Sequence, residues 1–171
     1  MANFMKDNKI QIFFILFIIL LFHGLNNYHV LTKSRYCLMP DEVHFFARTA
    51  ETLQALRDIK LNLKSIYGAY NHIFGDSFKP PLFFITASPF LLFIADKNIV
   101  IMSNFIYFAI LLFATYGIGK KLYGLEVGIL SSFLVSMFPT VFALSRVFMV
   151  DFALAAMVAL TSAPPCNCTR F

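Results

Sequence analysis

Apolar and polar positions fall in long blocks along this chain rather than alternating residue by residue. Residues 1–9 are polar and short, and residues 10–29 form an almost unbroken apolar run. A helix rises about 1.5 Å per residue and the hydrocarbon core of a bilayer is about 30 Å thick, so about 20 apolar residues predict a membrane span. Residues 30–79 are polar, with seven Lys/Arg and five Asp/Glu. Inside that segment Phe45, Thr49, Thr52, Leu56, Ile59 and Leu63 recur at spacings of four and three, with Arg48, Glu51 and Asp58 between them. This periodicity predicts an amphipathic helix over 41–64, lying on the membrane or on neighbouring helices. Lys79-Pro80-Pro81 opens a shorter apolar run, Leu82–Ala95, which Pro89 interrupts. It falls below the length of a straight span and predicts an interfacial helix over 80–95. Further spans are predicted at 99–118, 127–144 and 150–161. The turn Gly119-Lys120-Lys121-Leu122-Tyr123-Gly124 and the break Ser145–Asp151 separate them.

Composition sharpens the picture. Of 171 residues, 59% are apolar and 13% charged, and mean hydropathy is +0.74. Soluble domains are about 25% charged. The fold class expected is therefore an all-α integral membrane protein with several spans and with interfacial helices in its first outer loop. The net charge of +5 is expected to act in topology and lipid-phosphate contact. No basic run alternates with aromatics, so nucleic acid is not an expected partner. Lys6 and Lys9 precede the first run as in a signal peptide. That run exceeds a typical signal core and no small-x-small site follows it, so an uncleaved span is expected.

Topology follows by parity. Lys6/Lys9 and Lys120/Lys121 lie in short segments, where the excess of positive charge on the cytoplasmic side carries weight. An even number of crossings must separate them, and runs 10–29 and 99–118 supply two. Segment 82–95 should then not cross. Asp41-Glu42, Lys79, Arg146 and Asp151 would all lie on the outer face of a cell membrane.

Those residues are the ones able to carry chemistry. Asp41-Glu42 offers carboxylates at a low-dielectric boundary, suited to general base work. The same pair after Pro40 also suits a helix N-terminus, where acids satisfy free N–H groups and the dipole. Lys79 before a Pro-started helix is placed for phosphate, or for snorkelling to the interface. Arg146 and Asp151 interrupt apolar runs, where charges are costly; they are either functional or an ordinary turn pair. His23, His29, His44 and His72 have no metal-ligand spacing to one another. Cys37, Cys166 and Cys168 make no disulfide framework, and Cys166-x-Cys168 has no second ligand pair nearby. No metal or cofactor is expected, and no Walker loop, dinucleotide fingerprint or nucleophile elbow occurs.

Four strings in order carry a resemblance. They are Asp41-Glu42-Val43-His44-Phe45-Phe46, Lys79-Pro80-Pro81-Leu82, Gly119-Lys120-Lys121-Leu122-Tyr123-Gly124, and Phe138-Pro139 through Ser145-Arg146 to Asp151. The arrangement resembles the N-terminal part of the multispanning glycosyltransferases with the C-type membrane fold, which include protein O-mannosyltransferases and aminoarabinose transferases. It covers about residues 8–160. The resemblance implies transfer of a sugar from a polyprenyl-phosphate carrier to a protein, lipid or glycan acceptor on the outer face. It implies Asp41 as general base, Glu42 as its support, Lys79 as a contact to the carrier phosphate, Asp151 as a second acid near the site, and Arg146 as a phosphate or structural partner.

The chain departs from the family in length, stopping inside what would be its fourth span. Residues 162–171 break from the preceding composition and are expected to be an aberrant tail of a truncated reading frame. The competing expectation is a non-enzymatic membrane protein, a transporter fragment or an assembly subunit. Transporters place polar groups at mid-membrane and often show repeated halves. Here the charges cluster at the ends of runs and no repeat is visible.

Overall fold

A computed structural model describes residues 9–33, 39–59, 63–75, 80–93 and 96–163. These residues are all helix and connection, with no strand among them. Their order is α1 (Lys9–Lys33), α2 (Pro40–Arg57), α3 (Leu63–Phe74), α4 (Pro81–Ala87), α5 (Phe90–Phe93), α6 (Lys97–Ile101), α7 (Asn104–Tyr123), α8 (Leu125–Met137), α9 (Pro139–Leu144) and α10 (Val150–Ser162).

Among the described residues, two helices are long and apolar enough to cross a bilayer: Ile10–Lys33, and Asn98–Tyr123, which joins α6 and α7. α1 exposes apolar side chains on most of its surface and buries two polar ones. The buried stripe at Ile12, Leu16, Ile19, His23, Asn27 and Leu31 recurs every three or four residues and holds the polar His23 and Asn27. Phe13, Phe14, Phe17, Phe22 and Leu25 are exposed on the remaining faces. A helix dissolved in water keeps its polar side outward.

α7 and α8 form a tight hairpin. Gly124 makes the turn with φ +101°, a left-handed conformation that L side chains rarely adopt, and it is the only positive-φ glycine among the described residues. Along the hairpin Gly119 and Gly128 let the backbones approach. A Cβ on Gly128 would sit 2.9 Å from both the Lys120 nitrogen and the Tyr116 carbonyl oxygen. Ser132 Oγ donates across the pair to Leu112 O at 3.1 Å. α10 packs on α7 through small residues: Ala153 and Ala156 are buried, and Phe152 stacks toward Phe108 at 6.4 Å. α1 approaches the start of α7 at Gly24, where a Cβ would lie 3.0 Å from the Phe105 ring.

Three expected extents change. The amphipathic helix of 41–64 ends at Arg57, and a second helix, α3, begins at Leu63. Segment 80–95 is broken at Ser88–Pro89 into α4 and α5. Phe83, Phe84 and Ala87 of α4 are buried inside the protein, so α4 is a packed element. The expected span 127–144 is interrupted at Phe138, whose extended backbone precedes Pro139, so that α8 and α9 are separate helices.

Candidate functional site

Met39 is in extended conformation and begins α2, followed by Pro40, Asp41 and Glu42 in the first turn. Proline suits this position because its missing N–H would be unpaired there in any case. Glu42 then turns back. Its Oε2 accepts the Met39 N–H at 2.8 Å, one half of a capping box. Its other oxygen, Oε1, accepts the Phe148 N–H at 2.8 Å, and the residue is fully buried. Both oxygens of this carboxylate therefore hold backbone, one from its own helix and one from the turn before α10.

This bond brings two helix starts together. Met149, again extended, begins α10, so Asp151 occupies the second helical position there just as Asp41 does in α2. Both aspartates are exposed, each favoured by the positive end of its helix. α4 completes the setting: Phe84 lies 6.2 Å from Phe45 of α2, and Phe83 lies 4.7 Å from Phe148, ring to ring. Thr86 of α4 hydrogen-bonds the Tyr107 hydroxyl of α7 at 2.6 Å. Thus α2, α4, α7 and the start of α10 meet around Phe83 and Phe148, with Asp41 and Asp151 on the surface beside them. Lys79 lies outside the described residues; the helix it precedes, α4, is at this junction.

The turn from Leu144 to Phe148 gathers further polar groups. Asn27 of α1 donates through Nδ2 to Ser145 Oγ at 2.9 Å and accepts through Oδ1 from Arg146 Nε at 2.9 Å. The Arg146 guanidinium lies over the Phe142 ring, 3.8 Å from its centroid. Asn104 donates through Nδ2 to Val147 O at 2.7 Å and, more weakly, to Leu144 O at 3.5 Å. His23 packs its ring on Phe108 at 4.9 Å and on Phe142 at 5.6 Å. Burial pulls the Arg146 guanidinium below its ordinary value, yet an arginine keeps its charge in proteins. No carboxylate among the described residues forms an ion pair with Arg146, whereas Arg48 and Glu51 pair at 3.1 Å along α2.

The site residues therefore separate by what they touch. Asp41 and Asp151 are brought to one end of the helices and face outward. Glu42 is a buried tie. Arg146 is engaged by Asn27 and Phe142 inside the assembly. His44 is exposed on α2 beside Phe45, and no group of three or more His, Cys, Asp or Glu with metal-binding geometry occurs among the described residues. A groove of about 370 Å³ runs between α1 and α8, lined by Ile15, Ile19, Ile129, Leu130, Phe133 and Glu126 among others, and none of the candidate site residues borders it. Asn27 and Asn104 were not singled out by motif, and Ser145 entered only as part of the Ser145-Arg146 string. Their signal is a polar residue set inside or beside an apolar helix, where it must find a partner. No family model matches this chain, and no match is found among curated proteins or solved structures.

Proposed function

We propose that the chain is a multispanning membrane protein belonging to the catalytic part of a polyprenyl-phosphate-dependent glycosyltransferase, with the starts of α2 and α10 at the outer face. The observation that supports this reading is the Glu42–Phe148 hydrogen bond, which sets the exposed Asp41 and Asp151 at the same end of the apolar helices. In the proposed reaction the acceptor hydroxyl attacks the anomeric carbon and gives its proton to Asp41. The bond from that carbon to the phosphate oxygen breaks, and polyprenyl phosphate leaves with the electron pair. A cation at Lys79, chain neighbour of Pro80 at the start of α4, stabilises the leaving charge. Asp151 positions acceptor or sugar hydroxyls. Glu42 acts through α2 as a positioning residue. Arg146, held by Asn27 and Phe142, maintains the turn that presents the Phe148 N–H.

The lipid-embedded architecture is supported by the outward apolar faces of α1 and by the length of Asn98–Tyr123. A donor with a long isoprenoid tail accounts for placing a sugar-transfer site among such helices. The alternative, a non-enzymatic transporter fragment or assembly subunit, draws on the polar His23, Asn27 and Arg146 packed between helices.

One assay separates the two. The chain is reconstituted in vesicles with radiolabelled polyprenyl-phosphate mannose or polyprenyl-phosphate aminoarabinose, and transfer of label is measured for the unaltered chain and for Asp41→Asn. Transfer that is lost in Asp41→Asn, with the melting temperature unchanged, supports the enzyme. Equal transfer by both removes Asp41 as base, and a chain that neither binds the labelled donor nor turns it over supports the non-enzymatic reading.

A further inference from the structure

α3 carries an apolar face that the protein itself does not cover. At about 100° per residue, Ile66, Tyr67, Tyr70, Ile73 and Phe74 fall within an arc of about 120°, as wide as the buried stripe of an ordinary surface helix. Of these only Ile73 is buried. Ile66 is 47% exposed, Tyr67 65%, Tyr70 57% and Phe74 46%. Tyr70 and Phe74 stack at 4.9 Å, so part of the face is a paired aromatic surface. Leu56 and Ile59, near the end of α2, are exposed apolar side chains as well, and Ser65 Oγ of α3 donates to Asp58 O at 3.2 Å.

We propose that this face of α3 lies on an anionic bilayer surface, with its tyrosines at the level of the headgroups. The inference rests on the membrane reading above and adds the ligand class of a surface outside the proposed site. Three observations converge on lipid. First, position: α2 is anchored at the Phe148 turn, where α9 ends and α10 starts, and α3 packs on α2, so the pair is attached to the apolar helices at one end, the level at which a bilayer surface lies. Second, chemistry: an apolar ring with a polar tip is suited to a boundary that is greasy on one side and wet on the other, and two of the four exposed side chains on the arc are tyrosines. Third, charge: the exposed Arg57 and Lys64 at the end of α2 and the start of α3 outnumber the exposed Asp58 beside them. The chain carries +5 overall, which favours anionic lipid over a second, equally positive copy. In this arrangement α3 holds α2, and with it Asp41, at a fixed height above the lipid.

The chain contains no tryptophan, which makes the test direct. Tyr67→Trp and Tyr70→Trp each introduce a single reporter into the full chain, and Phe17→Trp, on the exposed face of α1, serves as the deep reference. The variants are reconstituted in vesicles of phosphatidylcholine with phosphatidylglycerol, and flotation is checked first. Emission is then quenched by spin labels placed shallow or deep on the acyl chain, and by aqueous iodide. Docking on lipid predicts quenching of both α3 reporters about twofold stronger by the shallow than by the deep label, since such helices insert only about 5–10 Å. Phe17→Trp should show the reverse order. Quenching by iodide alone in chains that float overturns the proposal for α3 while leaving the membrane reading intact. Protection from all three quenchers overturns it in favour of a protein partner or a second copy. Chains that do not float with the vesicles overturn the membrane reading and this proposal together.

Discussion

The Glu42 carboxylate reaches across 106 residues of chain to accept the Phe148 backbone N–H at 2.8 Å. Its second oxygen caps its own helix at Met39. One short side chain thereby fixes where α2 starts and which turn it leans on. In Glu42→Gln the amide nitrogen cannot accept, so one of the two N–H groups loses its partner. A buried unpaired N–H costs about 1–3 kcal/mol. Thermal melting of the purified chain in detergent should fall accordingly in Glu42→Gln and further in Glu42→Ala. A melting curve that overlays the unaltered chain would show that the tie does not carry the junction.

The neighbouring aspartates should behave differently. Asp41 and Asp151 are exposed and make no structural hydrogen bond of their own among those described, so their contribution to stability is the interaction with the helix ends. That amounts to about 0.3–1 kcal/mol each. Asp41→Asn and Asp151→Asn are expected to melt within that margin of the unaltered chain. If Asp41 is the base of the proposed transfer, Asp41→Asn lowers transfer by about 10²–10⁴-fold. Asp151→Asn is expected to raise KM more than it lowers kcat. A destabilised Asp41→Asn would place Asp41 among the structural residues with Glu42.

Asn27 and Arg146 form a coupled pair, because Asn27 accepts the Arg146 Nε–H while donating to Ser145. Asn27→Ala strips both partners and leaves the buried Ser145 hydroxyl and the half-buried Arg146 Nε–H without their partner, costing about 1–3 kcal/mol. Arg146→Met removes the charge and keeps much of the volume, so it should cost less. The test is a double-mutant cycle read by chemical denaturation. Contacting residues in one network couple by about 0.5–3 kcal/mol. Strict additivity would mean that the hydrogen bond contributes nothing net.

The α7–α8 hairpin predicts a contrast between two glycines of one type in one structure. Gly128→Ala puts a methyl 2.9 Å from backbone atoms of Lys120 and Tyr116, so the helices must separate, at a cost of about 1–3 kcal/mol. Gly117 has nothing within 4 Å of its would-be Cβ. Gly117→Ala is therefore expected to stabilise by up to about 1 kcal/mol through helix propensity. Differential scanning calorimetry on the two variants decides it; equal shifts would contradict the close approach.

Much of the helical plan was legible in the chain. The apolar run from Ile10 is the body of α1, because no proline interrupts it and its few polar residues, His23 and Asn27 among them, pack inward rather than ending the helix. Pro40-Asp41-Glu42 reads as a helix start because proline and acids each suit a first turn, and α2 begins there. The break at Phe138 was marked by Pro139, but a proline alone does not say whether a span kinks or ends. α3 was written in the spacing of Ile66, Tyr67, Tyr70, Ile73 and Phe74, yet it sits in a segment where charges dominate any average. The partner of Glu42 was not legible at all. A backbone N–H looks the same at every residue except proline, so no motif points from Glu42 to Phe148. The same holds for Asn27 and Asn104: the sequence shows polar groups needing partners, and only the packing shows which.

The turn from Leu144 to Phe148 also sets an order of assembly. α1 holds it through Asn27, α2 through Glu42 and α7 through Asn104, and every one of these ties spans 40 residues or more of chain. While the protein is being made, the ribosome must pass Phe148 before α1, α2 and α7 acquire their common anchor. The α7–α8 hairpin closes over one residue and is complete earlier. Local openings of the finished molecule should follow the reverse order, releasing the starts of α2 and α10 while the hairpin stays shut. Amide exchange would then report Phe148 as faster than Leu112, although the two residues are equally buried.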